Sequence, residues 1–179
     1  MNKLIFDSGL CTGCRACELA CSFVSTGEFG PSKSRIRVTK IDEEGLDIPV
    51  GCAQCDDAPC ISVCPVRAVT RDSRTQAVLI NNDACIGCKE CLMACPFGAI
   101  QYDEEKHLFY KCDLCEGNPE CAKWCFTGAL QFTDEVNKIT RKKQRKSALK
   151  IGKAGRSVVK KAQKAAEPQP KPRNTIINH

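Results

Sequence analysis

With 179 residues, 42% of them hydrophobic but only 6% aromatic, the chain makes one ordinary domain or two small ones with little conventional core, and its sixteen cysteines are the natural staple. The net charge of +6 is unevenly divided: residues 1–134 carry 13 Lys and Arg against 19 Asp and Glu, net −6, whereas residues 135–179 carry 14 against 2, net +12. Met1 to Leu10 holds Lys3 and Asp7 and shows neither a signal-peptide nor a twin-arginine pattern, and no apolar run approaches a membrane span, so a cytoplasmic protein with reduced thiols is expected, not a secreted disulfide scaffold.

In chain order, the first cysteine run is Cys11, Cys14, Cys17 and Cys21, followed by a β-rich stretch from Arg35 to Ile41. The second is Cys52, Cys55, Cys60 and Cys64, stretched before its third cysteine by Asp56-Asp57-Ala58-Pro59. The phrase Pro65-Val66-Arg67-Ala68-Val69 follows, then a β-rich Ala77 to Ile80. The third is Cys85, Cys88, Cys91 and Cys95, with Pro96-Phe97-Gly98-Ala99-Ile100 behind it and a β-rich Leu108 to Lys111. The fourth, Cys112, Cys115, Cys121 and Cys125, is stretched by Glu116-Gly117-Asn118-Pro119-Glu120 and followed by Phe126-Thr127-Gly128-Ala129-Leu130. Each phrase is read as a one-turn helix leading into a strand, and the whole as small hairpins and short helices of the α+β class. After Asp134 the character changes. Ser147 stands at the N-cap of a helix in which Ala148, Ile151, Gly155, Val158, Ala162 and Ala165 recur every three or four residues. Glu167 to Arg173 alternates prolines with polar residues as an extended linker, and Ile176 and Ile177 make a small apolar plug.

The four runs use every cysteine. Three cysteines at C-x2-C-x2-C spacing bind three corners of an iron–sulfur cube, the peptide looping round it with its N–H groups aimed at the sulfurs, and the fourth does not fold back onto the same cube easily. Cys64-Pro65 and Cys95-Pro96 also close as the bacterial ferredoxin signature does. Structural zinc, the rival reading, takes two cysteine pairs per ion and has no use for a third cysteine two residues on. The runs match in pairs. The middle two end in Cys-Pro and the outer two do not, and each pair holds one regular and one stretched run, which favours pairing outer with outer and inner with inner. An oxidised cube held by four thiolates carries about −2, so four would take the body from −6 to about −14.

Residues 3–134 resemble the four-cluster ferredoxin-like subunits that serve molybdenum and tungsten pterin oxidoreductases and some hydrogenase or formate dehydrogenase complexes. The opening, Cys11-Thr12-Gly13-Cys14-Arg15-Ala16-Cys17-Glu18-Leu19-Ala20-Cys21-Ser22-Phe23 with Ser34-Arg35-Ile36-Arg37-Val38 behind it, looks most like the small Fe–S subunit of tungsten aldehyde oxidoreductases and their benzoyl-CoA reductase cousins. The resemblance implies a duplicated bacterial dicluster ferredoxin-like fold: a body at 1–134, with an outer cluster pair in 1–50 and 101–134 and an inner pair in 51–100, and a basic, helical C-terminal extension at 135–179 that departs from the family pattern. It implies four [4Fe–4S] clusters. Cluster 1 takes Cys11, Cys14, Cys17 and Cys125; cluster 2 takes Cys52, Cys55, Cys60 and Cys95; cluster 3 takes Cys85, Cys88, Cys91 and Cys64; cluster 4 takes Cys112, Cys115, Cys121 and Cys21.

The function implied is electron transfer in an anaerobic setting, without catalysis, between a tungsten or molybdenum pterin enzyme and a second redox partner such as a flavin subunit or a ferredoxin. The rival readings are a subunit of a hydrogenase, formate dehydrogenase or molybdopterin reductase complex, and a structural organiser whose tail joins copies into multimers or filaments. The basic tail has no Phe, Tyr or Trp with which to stack on bases, so docking to protein is preferred to nucleic-acid binding. Asp56, Asp57, Asp113, Glu116 and Glu120 lie between ligands, where they either push nearby cluster potentials down or stand as solvated charges with little effect. Trp124 is read as filling space beside Cys125, and His107 and His179 lie outside the runs.

Overall fold

The computed structural model describes residues 3–134. The expected tail helix, linker and plug lie outside the described residues. Eight short strands form four antiparallel pairs and four helices pack between them, as expected of the α+β class.

Strand β1 (Lys3–Phe6) pairs with β8 (Leu130–Thr133), Leu4 facing Phe132 and Phe6 facing Leu130. The other pairs are local hairpins: β2 (Arg37–Ile41) with β3 (Leu46–Val50), β4 (Val69–Arg71) with β5 (Val78–Ile80), and β6 (Gln101–Asp103) with β7 (Leu108–Tyr110). The helices are α1 (Ala16–Thr26), α2 (Pro59–Ser62), α3 (Glu90–Ala94) and α4 (Glu120–Lys123). Helix α1 packs against α4 and α2 against α3, so the outer and inner runs each bring their helices together.

Two cores result. The outer one gathers Leu4 and Phe6 of β1, Ile36, Val38, Leu114, Ala129 and Leu130 round Cys17, Cys21 and Cys121. The inner one gathers Val69, Ile100 and Phe109 round Cys60, with Cys55, Cys64, Cys85, Cys91 and Cys95 against it. Phe109 and Tyr102 of the β6–β7 hairpin, placed with the outer half in the sequence division, pack in the inner core. Strand β5 and the residue before it serve both. Ala77 and Leu79 face the outer core while Val78 and Ile80 face the inner one, as the two-residue period of a strand requires. This strand is therefore the partition between the halves.

The phrases after the last three runs do lead into strands, but each begins as a tight turn and not as a helix. The N–H groups of Arg67, Gly98 and Gly128 donate to the carbonyls of Cys64, Cys95 and Cys125 at 3.3, 3.3 and 3.1 Å, and each donor residue has positive φ. A left-handed residue ends the turn before a second helical hydrogen bond can form.

Candidate metal centres

Each C-x2-C segment turns the same way. Its third residue, Gly13, Gln54, Gly87 or Leu114, has φ between +46° and +75°. In two runs glycine takes this conformation freely; Gln54 and Leu114 take it at a cost of about 1–2 kcal/mol each. Both are almost fully buried, at 2% and 1% exposure, so packing holds them there. Four sequences converging on one strained backbone form indicates that the turn itself, which tucks the chain round a compact group, is what is required.

Helix geometry then separates the third and fourth cysteines of each run. In all four they are i and i+4: Cys17 and Cys21 both lie on α1, whereas Cys60, Cys91 and Cys121 lie on α2, α3 and α4 and Cys64, Cys95 and Cys125 just past the C-terminal ends of those helices. On α1 the two share a face but stand one turn, about 5.4 Å, apart along the axis; in the other three runs the fourth cysteine has left the helix, so in every run it is placed away from its third and towards a neighbouring group.

The thiols associate accordingly. Cys11 and Cys17 lie in the electrostatic reach of Cys14 and Cys125. Cys121 lies near Cys112, Cys115 and Cys21, and all four line one cavity of about 340 Å³ with Arg35 and Asp113. Cys52, Cys55, Cys60 and Cys95 line a second, smaller cleft. Cys64, Cys85, Cys88 and Cys91 line a third. The groups also have an order. The first meets the Cys21 group where Cys17 approaches Cys121, the Cys21 group meets the Cys52 group where Cys112 approaches Cys52, and the Cys52 and Cys64 groups share the inner core. Cys14 and Cys88, in the two end groups, are exposed.

None of the sixteen cysteines is in a disulfide. Burial pushes Cys17 and Cys112 up to about 12 and Cys60 to about 11, with neighbouring thiols adding to the shift for each, Glu18 adding to that of Cys17, and Lys111 opposing it for Cys60 and Cys112. Burial raises Cys121 further in the same direction. Such thiols stay protonated at neutral pH until a cation displaces the proton. Among the described residues no three His, Cys, Asp or Glu side chains converge on one point as ligands of a single ion would. The ligands of a cube are bound to four different irons and have no such requirement. Backbone N–H groups already point at sulfur: Arg35 donates to Cys21 Sγ at 3.4 Å, Ala99 to Cys95 at 3.4 Å and Leu130 to Cys125 at 3.3 Å. Turns, clefts and N–H donors all fit [4Fe–4S] clusters.

The surrounding acids are largely neutralised. Three of the five acids between ligands are paired: Asp56 with Lys3, Asp113 with Arg35 and Glu120 with Lys123. Asp113 is held below the ordinary carboxylate range although burial opposes this, because the Cys115 N–H and the Arg35 guanidinium outweigh it. Paired charges act weakly at a distance, so these acids lower potentials less than their number suggests. Trp124 is 51% exposed, so it does not fill the interior; Cys125 packs against the core that holds Leu130 and Ala129 instead. His107 pairs its Nδ1 with the Tyr102 hydroxyl at 2.9 Å. Two site features escaped the sequence reading. Asp47 lies over Gly13 and acts on Cys11, and Lys111 and Gln54 are buried between the thiol groups; Asp47 stands outside the cysteine runs, and Lys111 and Gln54 adjoin ligands without being ligand types themselves.

Comparison with known proteins agrees with this chemistry. The profile of the 4Fe-4S dicluster domain matches residues 45–135. The chain belongs to that family and binds [4Fe–4S] clusters. It is 44% identical over 86 residues, 48% of its own length and 49% of the relative's, to the aliphatic sulfonate oxidoreductase polyferredoxin-like subunit of Pyrococcus furiosus. It is 40% identical over 122 residues to the putative electron transport protein YsaA of Escherichia coli, covering 63% of this chain and 76% of that one. Formate hydrogenlyase subunit 2 of Escherichia coli is 43% identical over 109 residues, 60% of this chain and 52% of that subunit. The chain thus spans about half the length of two of these relatives and about three quarters of the third. Among solved structures, the active site complex BamBC of benzoyl-coenzyme A reductase with benzoyl-CoA matches at 27% identity over 74% of this chain and 79% of that one, with a TM-score of 0.44. Among the described residues no helix is long and apolar enough to cross a membrane.

Proposed function

We propose that this chain is a non-catalytic electron-transfer subunit whose four [4Fe–4S] clusters form a wire between a catalytic oxidoreductase subunit and a second redox partner, in the cytoplasm. The observation that carries the reading is the row of four thiol groups, each of four cysteines, ending in exposed Cys14 and Cys88. The ligand sets follow that row: Cys11, Cys14, Cys17 and Cys125; Cys112, Cys115, Cys121 and Cys21; Cys52, Cys55, Cys60 and Cys95; Cys85, Cys88, Cys91 and Cys64. The chain's part is to hold the clusters close together, exclude water from the middle of the row and aim N–H groups at sulfur, each cluster supplying one-electron chemistry.

For the catalytic partner, the likeness of the opening run favours a tungsten or molybdenum pterin enzyme of the aldehyde oxidoreductase type. The formate hydrogenlyase relative favours a hydrogenase or formate dehydrogenase setting instead. Protein purified anaerobically from its source should hold about sixteen iron and sixteen labile sulfide per chain, four for each cube. Half that amount, or stoichiometric zinc, refutes the four-cluster wire, and the tungsten, molybdenum or nickel content of the largest co-purifying chain separates the two partners.

A further inference from the structure

Lys111 is only 5% exposed. Its ammonium donates to the carbonyl of Val78, on the partition strand β5, and to the carbonyl of Cys112 at 3.0 Å. It lines the cleft of Cys52, Cys55, Cys60 and Cys95, and its charge also acts on Cys112 of the next group. Gln54, 2% exposed, closes the same knot from the other side: its Nε2 donates to Cys112 O at 2.9 Å and its Oε1 accepts from Val78 N at 2.8 Å. Among the described residues no carboxylate forms an ion pair with Lys111, whereas Arg35, near Cys21 and Cys112, is paired with Asp113, and Arg71, which donates to the Cys55 carbonyl beside the cleft, is only partly buried. A buried cation without a counter-ion is costly and is retained only where something anionic answers it. Two carbonyls do not carry charge. The groups on either side, at about −2 each when loaded, do.

We infer that Lys111 is a shared counter-charge between the two middle clusters, raising the potentials of both so that an electron entering from either end of the wire comes to rest in its centre. The inference rests on the four-cluster reading. A positive charge held between two sites that each gain negative charge on reduction favours the reduced form of both. One electron given up by a terminal group is taken up by its middle neighbour, and the ammonium offsets the charge added there. At the far end the carboxylate of Asp47 acts on Cys11 with the opposite sign, which widens the step between terminal and middle groups.

The test is an anaerobic redox titration followed by EPR on the full chain, with iron counted in each sample. Lys111→Gln, which keeps a donor but loses the charge, is expected to retain about sixteen iron and to disfavour reduction of two of the four clusters about tenfold, a downward shift of about 59 mV for one electron. Lys111→Arg should leave all four potentials in place. Four unmoved potentials in a fully loaded Lys111→Gln protein overturn the inference, as does an equal shift in Lys111→Arg. Should Lys111→Gln lose iron, Lys111→Arg decides alone: full iron with native potentials supports the charge, and loss of iron there overturns it. Iron near half of sixteen in the unaltered protein would instead defeat the four-cluster reading itself.

Discussion

At the scale of single residues, the C-x2-C turn is where sequence and backbone are most tightly bound. Gly13 and Gly87 occupy the same place in the first and third runs with φ of +68° and +75°, yet their surroundings differ. A Cβ at Gly13 would stand 2.5 Å from the Asp47 carboxylate, whereas at Gly87 it would meet nothing within 4 Å. Gly87→Ala therefore costs only backbone strain, about 1 kcal/mol, and should leave iron content unchanged. Gly13→Ala adds a collision, and iron analysis should show loss of about one cluster in four from the end group. Equal iron in the two variants would show that Asp47 yields freely. Cys125→Ser tests the ligand crossing proposed just past the end of α4. It should disturb the cluster held with Cys11, Cys14 and Cys17 in Mössbauer or EPR spectra and leave the inner pair intact; damage confined to the Cys112, Cys115 and Cys121 site would show that the crossing is misassigned. The cysteines were legible because their spacing is their chemistry. Lys111, Gln54 and Asp47 were not, since one lysine among 27 basic residues carries no periodic mark of burial and becomes distinctive only when the chain is folded round it.

At the scale of elements, the strands from Arg35, Ala77 and Leu108 were readable from their β-branched and aromatic residues, and β2, β5 and β7 fall within those stretches. Of their partners, β4 and β6 were legible as the strands into which the phrases after the second and third runs lead, whereas β3 was not, because Pro49 interrupts it. The pairing of β1 with β8 was equally hidden, since strands at opposite ends of a chain leave no local signal. That pair seals the outer core: Phe6 is 4% exposed and lies close enough to Gly51 that a Cβ there would come within 2.9 Å of its ring. Phe6→Ala should cost about 3–5 kcal/mol in that half alone. Followed by visible absorbance in guanidinium under anaerobic conditions, cluster loss should become biphasic, with the outer pair leaving early and the inner pair at its native rate. A single uniformly faster phase would mean that β5 couples the halves too strongly for either to open by itself.

At the scale of the whole molecule, the division of charge sets the expectation for the part beyond Asp134. A body of −6, about −14 once four cubes are bound, and a tail of +12 are complementary between copies as much as within one. Removing residues 135–179 should leave cluster spectra and potentials unchanged while lowering the mass of the native assembly by light scattering, and full-length assemblies should loosen as salt rises. Identical particle sizes at every salt concentration would leave the tail with no part in assembly. The pairing of the first strand with the last also has a consequence for biogenesis. On the proposed ligand sets every ligand of the inner pair lies between Cys52 and Cys95, so that half would be complete while the ribosome is still at work, whereas the first run would wait for Cys125 and for β8 to cover it. At about 5–20 residues per second that wait is on the order of ten seconds, during which Cys11, Cys14 and Cys17 stand open to oxidants. The order of synthesis thus makes the outer pair the last to mature and the first to be lost when a growing chain meets oxygen.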